Sequence, residues 1–198
     1  MNKLGDFLNN NDWDSYYNSE EYKRIKEKLE EERKLKVREM ICDAVHIPPI
    51  HAQKIIHRNY EKTQIIKEIL KHDFNKKKWL LILGDVGVGK SFALSLLLFT
   101  LTPKIGLYVR YAHASELEDI DYKYYKVLGI DDIGLESDKN LLSRIIHHYY
   151  DNFKILIMTS NLNMEKIIEN YDARIVDRII ELSEIIEITG KSRRSSGA

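Results

Sequence analysis

The sequence predicts an α/β protein, a five-stranded parallel sheet flanked by helices, preceded by a helical N-terminal extension. Three observations predict it. From Lys78 onward, short and uniformly apolar runs such as WLLIL, KVLGID and KILIMTS alternate with stretches of helical period, the pattern of strands covered on both faces. One strand-to-helix junction among them is rich in glycine. Upstream, Pro48 and Pro49 separate this region from a long and densely charged segment, because neither proline can continue a helix.

Composition bounds the rest. A chain of 198 residues, 43% hydrophobic and 31% charged, has the make-up of one ordinary globular domain with an appendage. Its formal net charge is zero, so any surface for a polyanion must be local. The single cysteine, Cys42, excludes an internal disulfide framework and a cysteine-based structural zinc site, and suits a reducing compartment. The start, MNKLGDFLNNNDWD, has no apolar leader, and the run from Phe92 to Leu101 is too short and interrupted to span a bilayer. A cytoplasmic location with no membrane partner is expected.

Taken in order, the segment from Ser19 to about Val45 carries apolar residues at Tyr22, Ile25, Leu29, Val37, Met40 and Ile41 among many i,i+4 charge pairs. That spacing predicts a solvated helix with one narrow apolar stripe. HIPPI, residues 46–50, marks the boundary, giving an extension over 1–47 and a second domain over 48–198. KTQIIKEILKH predicts a helix with Ile65, Ile66, Ile69 and Leu70 on one face. The strands are WLLIL, IGLYVRY, KVLGID, KILIMTS and EIIEIT; the helices between them are KSFALSLLLFTL, NLLSRIIHHYYD, MEKIIENY and ARIVDRIIEL. His147 and His148 have no carboxylate or cysteine spaced with them, so the helix that holds them is read as amphipathic, with Tyr149 and Tyr150 toward the sheet.

Chemistry concentrates at three strand ends. Gly84, Asp85, Val86, Gly87, Val88, Gly89, Lys90 and Ser91 match the phosphate-loop pattern G-x-x-x-x-G-K-[ST] between a strand and a helix. Successive N–H groups of such a loop point inward, and the helix N-terminus adds its dipole at the same place. A triphosphate fits there, with Lys90 reaching the β and γ oxygens and the Ser91 hydroxyl on Mg²⁺. KVLGIDDIG ends a second strand in Asp131, which can orient the metal through water, followed by Asp132, which can polarise an attacking water. KILIMTSNLN ends a third strand at Asn161. Its amide reaches between the aspartates and the loop if its strand lies between theirs; an ordinary turn or helix-cap role is the alternative. Arg174 and Arg178 lie four apart on a later helix, and NKKKW (75–79) and GKSRR (190–194) form local basic clusters. Such clusters can contact phosphates, although charge runs are more often solvated faces.

In this order, from HIPPI to the end, these elements resemble the ATPase domain of the AAA+ superfamily, and specifically the DnaC/DnaI-type helicase loaders, with IstB-type transposition helpers close behind. The quoted matches are HIPPI, IDDIG, TSN, ARIVDR and a final pattern at Gly190, Ser192 and Arg194. The resemblance implies an AAA+ type P-loop fold without a lid domain, with ATP and Mg²⁺ as cofactors and hydrolysis that is slow without partners. It implies phosphate-loop roles for Lys90 and Ser91, a metal-side role for Asp131, the catalytic acid's position for Asp132 and a sensor role for Asn161. Arg178, or else Arg174, would serve as an arginine finger on a neighbouring subunit's nucleotide. The implied partners are a replicative DNA helicase gripped by the extension, single-stranded DNA, and further copies of the chain assembled on nucleotide or partner binding. Two other functions stand beside the loader: an ATPase helper of a transposase, and a nucleotide-switched adaptor with negligible hydrolysis. The segment between Tyr111 and Val127 is shorter than in the family and leaves room for one or two helical turns.

Overall fold

A computed structural model of the chain describes residues 13–188; the GKSRR cluster and the pattern at Gly190, Ser192 and Arg194 lie outside the described residues. The chain divides into two compact units between Met40 and Ile41. The first holds α1 (Trp13–Asn18) and most of α2 (Glu20–Val45). Glu20 and Glu21 in the first turn of α2 complement the helix dipole. Lys23 pairs with Glu20 at 2.8 Å, and Lys34 with Glu30 at 2.9 Å and Glu31 at 3.1 Å. These pairs are exposed, and α2 keeps an exposed stripe of Ile25, Leu29, Val37 and Met40.

The second unit begins with the last turn of α2, whose Ile41, Cys42 and Val45 are core residues. Burial and the neighbouring Asp43 push the Cys42 thiol up to about 11, so it packs as an apolar group and offers no nucleophile at neutral pH. The proline pair both ends one helix and starts the next: Pro48 is the N-cap and Pro49 the first residue of α3 (Pro49–Ile56), where a missing N–H costs nothing. α4 (Gln64–Ile69) follows, capped by Thr63, whose hydroxyl accepts the Ile66 N–H at 3.4 Å.

Five strands form the sheet: β1 (Trp79–Gly84), β2 (Val109–His113), β3 (Val127–Asp131), β4 (Ile155–Ser160) and β5 (Ser183–Ile188). Their order is β2-β3-β4-β1-β5 and every pairing is parallel. All carboxyl ends therefore lie along one edge and all amino ends along the other. α5 (Lys90–Ile105) packs against β1 through β4 together with α3 and α4. The opposite face is closed by α6 (Lys139–Asp151), α7 (Met164–Asn170) and α8 (Ala173–Leu182). Alternate strand residues, Trp79, Leu81 and Leu83 of β1 and Leu156 and Met158 of β4, meet Ile145, Tyr149 and Ile179 there. Between β2 and β3 the short connection folds into a single 3₁₀ stretch, Ala114–Asp119. Among the described residues no helix is long and apolar enough to cross a membrane.

Gly129, in the middle of β3, is what lets α5 lie this close. A Cβ at that position would meet Leu98 Cδ1 at 2.6 Å and Leu94 Cδ1 at 2.8 Å. Both leucines are fully buried, so their ends have little room to move. Gly129→Ala is expected to destabilise the protein by about 1–3 kcal/mol through overpacking, read as a lower midpoint in urea denaturation. An unchanged midpoint would mean that the α5 interface is looser than the contacts indicate.

Candidate functional site

Because β4 lies between β1 and β3, the ends that carry the phosphate loop, Asn161 and the aspartate pair converge on one spot. The condition set by the sequence for Asn161 is met. The loop leaves β1 at Gly84 and enters α5 at Gly89, the helix N-cap, whose φ of 103° is a left-handed conformation open to glycine at little cost. With the chain curled in this way, the free N–H groups of the first turn of α5 face the hollow of the loop.

Lys90 is only 4% exposed. Its Nζ donates to the carbonyls of Gly84 at 2.7 Å and Asp85 at 2.9 Å and to Asn161 Oδ1 at 2.7 Å. Asn161 in turn donates from Nδ2 to Asp132 Oδ1 at 2.9 Å. One amide thus links the cation of the loop to a carboxylate two strands away. The two hydrogen-bonding directions of a carboxamide, acceptor on one side and donor on the other, are what this position requires.

Asp131 is buried at the end of β3, and each of its oxygens accepts a hydroxyl: Oδ1 from Thr159 and Oδ2 from Tyr111, both at 2.6 Å. The Thr159 hydroxyl also accepts the Asp132 N–H at 2.9 Å. Burial, and then the adjacent Asp131 charge, raise the Tyr111 phenol far above its ordinary range, so it stays a donor throughout the accessible pH range. Asp132 has a φ of 59°, left-handed backbone that aspartate tolerates better than most residues but that still costs about 1–3 kcal/mol. The twist separates the pair. Asp131 is held inward by hydroxyls, and Asp132 lines the cleft.

His113, at the end of β2 and in register with Asp131, places Nε2 3.9 Å from Asp132 Oδ2. Its Nδ1 accepts the Ser115 N–H at 3.3 Å and contacts the Ser115 hydroxyl at 2.7 Å. With Nδ1 as acceptor, the neutral ring carries its proton on Nε2, toward Asp132. Tyr111, His113 and Thr159 were given no role by the sequence reading. The only available signal was polarity at the ends of otherwise apolar strands, two residues apart on one face in the case of Tyr111 and His113.

The cleft, about 580 Å³, extends from the loop residues Gly87, Gly89, Lys90 and Ser91 to α3 and the segment before α4. Phe92 forms an aromatic wall there. Tyr60 and His51 lie 5.3 Å and 5.6 Å from its ring centre, and Lys54 Nζ is 5.8 Å away. His51 Nδ1 is 2.8 Å from the Ser95 hydroxyl, which itself donates to the Ser91 carbonyl at 2.8 Å, so α3 is tied to the first turns of α5. The arginines stand apart from this cleft. Arg174 is exposed; Arg178 stacks on Tyr150, with Cζ 4.4 Å from the ring centre and Nη1 buried without a hydrogen-bond partner among the described residues. Among the described residues no group of three or more His, Cys, Asp or Glu side chains is arranged to hold a metal.

A phosphate loop on β1, an acidic pair on β3 and a polar strand end inserted between them define a P-loop fold of the AAA+ type. Known structures share it. DnaA from Aquifex aeolicus, bound to AMPPCP, superposes with a TM-score of 0.54 at 22% identity, over 69% of this chain and 51% of that one. DnaI gives 0.53 at 28% identity, over 66% of this chain and 81% of that one. The DnaC helicase loader gives 0.50 at 21% identity, over 71% of this chain and 92% of that one. The chain spans about half the length of the DnaA structure it matches. No protein-family model and no curated protein matches it. The resemblance to helicase loaders read from the motifs therefore has its counterpart in three dimensions.

The Thr159 hydroxyl satisfies a buried carboxylate and a backbone N–H together. Thr159→Val keeps the shape and removes both bonds, and should lower stability by about 1–3 kcal/mol. Thr159→Ser should recover most of that loss. Chemical denaturation of the two variants checks it, and equal midpoints for Val and Ser would deny the hydroxyl its role.

Proposed function

We propose that this chain binds ATP with Mg²⁺ in the cleft, hydrolyses it slowly on its own, and acts in DNA replication as a replicative helicase loader. The observation that carries the nucleotide reading is the row Lys90, Asn161, Asp132 at the mouth of a glycine loop. It lines up a buried cation for phosphate oxygens, an amide that orients both neighbours, and a carboxylate for water. The Phe92 wall suits the flat face of a base. Bound Mg²⁺ would neutralise charge on the phosphates, held by Ser91 and, through water, by Asp131. Asp132 then polarises the attacking water, with His113 Nε2 3.9 Å from its Oδ2.

The loader reading rests on the likeness to the DnaC helicase loader and to DnaI. It draws further support from the exposed apolar stripe of α2, a surface of the kind that a helicase-gripping extension uses. Single-stranded DNA and other copies of the chain are the further partners. Arg174 is exposed and ready to reach a neighbour's nucleotide, whereas Arg178 has first to leave Tyr150. One observation favours the adaptor reading instead: both oxygens of Asp131 already accept a hydroxyl, which reduces what the carboxylate offers to metal-bound water.

Calorimetry and a turnover assay separate these readings. Lys90→Ala should lose detectable Mg·ATP binding, and equal affinity for variant and parent would refute the site. Asp132→Asn should keep binding and lower turnover by about 10²–10⁴; turnover indifferent to it would refute the role of Asp132, and turnover absent in the parent even with the helicase selects the adaptor. Removal of residues up to Met40 should abolish co-elution with the cognate helicase and leave nucleotide binding intact. The cut stops there because Ile41, Cys42 and Val45 are core.

A further inference from the structure

The nucleotide cleft occupies the carboxyl edge of the sheet; the amino edge has a chemistry of its own. The segments leading into β2, β3, β4 and β1 lie side by side there and are tied laterally. The Tyr108 carbonyl accepts the Lys126 and Val127 N–H groups at 2.9 Å and 3.1 Å, and the Lys126 carbonyl accepts the Ile155 N–H at 3.0 Å. The Lys154 carbonyl accepts Trp79 Nε1–H at 3.0 Å. Four strands at this spacing make a ledge about 14 Å across.

Rings and ammonium groups project from this ledge. Tyr124 is 60% exposed, Phe153 75% and Tyr108 41%. Tyr108 and Tyr124 lie 5.3 Å apart, with Lys126 Nζ 5.0 Å from the Tyr108 ring centre. Phe153 has a φ of 50°, left-handed backbone that is a poor choice for a bulky residue and that nevertheless presents the ring to solvent. Lys123 and Lys126 are exposed on the β3 approach, and Lys76 and Lys77 on the β1 approach, within the NKKKW cluster of the sequence. Lys77 donates to the Glu181 carbonyl and Lys154 to the Lys123 carbonyl. Among the described residues none of these lysines is ion-paired, although Asp121 and Asp151 border the ledge. Burial first, and then Lys154 and Lys123, hold the His148 imidazole below its ordinary range, with Asp151 and Asp121 opposing.

Exposed rings beside unpaired ammonium groups on a laterally braced edge match the two demands of an extended polynucleotide, stacking for bases and cations for phosphates. We propose that the amino edge of the sheet, centred on Tyr124, Lys126 and Phe153, is a binding ledge for single-stranded DNA. A duplex hides its base faces from such rings, and an acidic peptide leaves them idle. The choice of DNA over RNA rests on the replication reading above; the ledge itself does not depend on the phosphate loop.

The test is fluorescence anisotropy of the full chain with a labelled oligothymidylate across a salt series, beside oligouridylate, a DNA duplex and polyglutamate. Lys123→Ala with Lys126→Ala should weaken strand binding and reduce the slope of log K on log salt by about 1.4, two phosphates at about 0.7 each. Tyr124→Ala with Phe153→Gly should weaken binding at least tenfold with the slope unchanged, as loss of stacking requires. Glycine suits the backbone at 153, and a melting curve shows that each variant is folded. Oligothymidylate binding unaffected by both folded variants, or no binding by the parent, overturns the ledge. Equal or tighter binding of duplex or polyglutamate overturns a single strand as the occupant. Preference for oligouridylate overturns DNA while leaving the nucleotide-site reading untouched.

Discussion

The placement of β4 between β1 and β3 is the constraint from which the rest of this molecule follows. It brings a carboxamide within hydrogen-bonding distance of the loop lysine on one side and of a carboxylate on the other. Either neighbouring order of the strands would leave Asn161 beside only one of them. The parallel pairing matters equally, since it delivers every strand's carboxyl end to the same edge, where crossover helices begin and their positive ends point. The arrangement of the site is thus a property of topology before it is a property of any side chain.

Around that bridge the structure separates two carboxylates that are adjacent in sequence. Asp131 is buried and each of its oxygens accepts a hydroxyl; Asp132 turns through a left-handed conformation and faces the cleft. The strain at Asp132 is tolerable because Thr159 pins its N–H as well as Asp131, so one threonine holds both halves of the arrangement. His113 completes it from β2. Four of the five strands therefore contribute an end to the site: β1 the loop, β2 Tyr111 and His113, β3 the aspartates, and β4 Thr159 with Asn161.

Much of this was legible in the sequence, and the reason is that it was written locally. The apolar runs marked all five strands, the glycines with Lys90 and Ser91 marked the loop, and HIPPI marked a helix boundary. Pro49 also opens α3, which follows from the same chemistry that ends α2. What was not legible depends on neighbours across the sheet. Nothing near Tyr111 announces that its hydroxyl meets a carboxylate twenty residues on, and nothing near Arg178 announces Tyr150 beneath it. NKKKW read as an ordinary charged run, because the rings that share its edge, Tyr108, Tyr124 and Phe153, come from three other approaches to the sheet. Such groupings are set by strand order, and strand order is where single-sequence reasoning stops.

We propose that Asn161 couples Lys90, in a phosphate-binding role, to Asp132, in a water-activating one, and the side-chain amide of Asn161 itself tests this most directly. Isotope labelling with assignment through an Asn161→Asp control isolates its NH₂ resonances. If Lys90 exchanges its bond to Oδ1 for phosphate oxygens, saturation with Mg²⁺ and a non-hydrolysable ATP analogue should move those resonances well beyond the shift produced by ADP. Resonances that stay in place in demonstrably saturated protein would contradict the account.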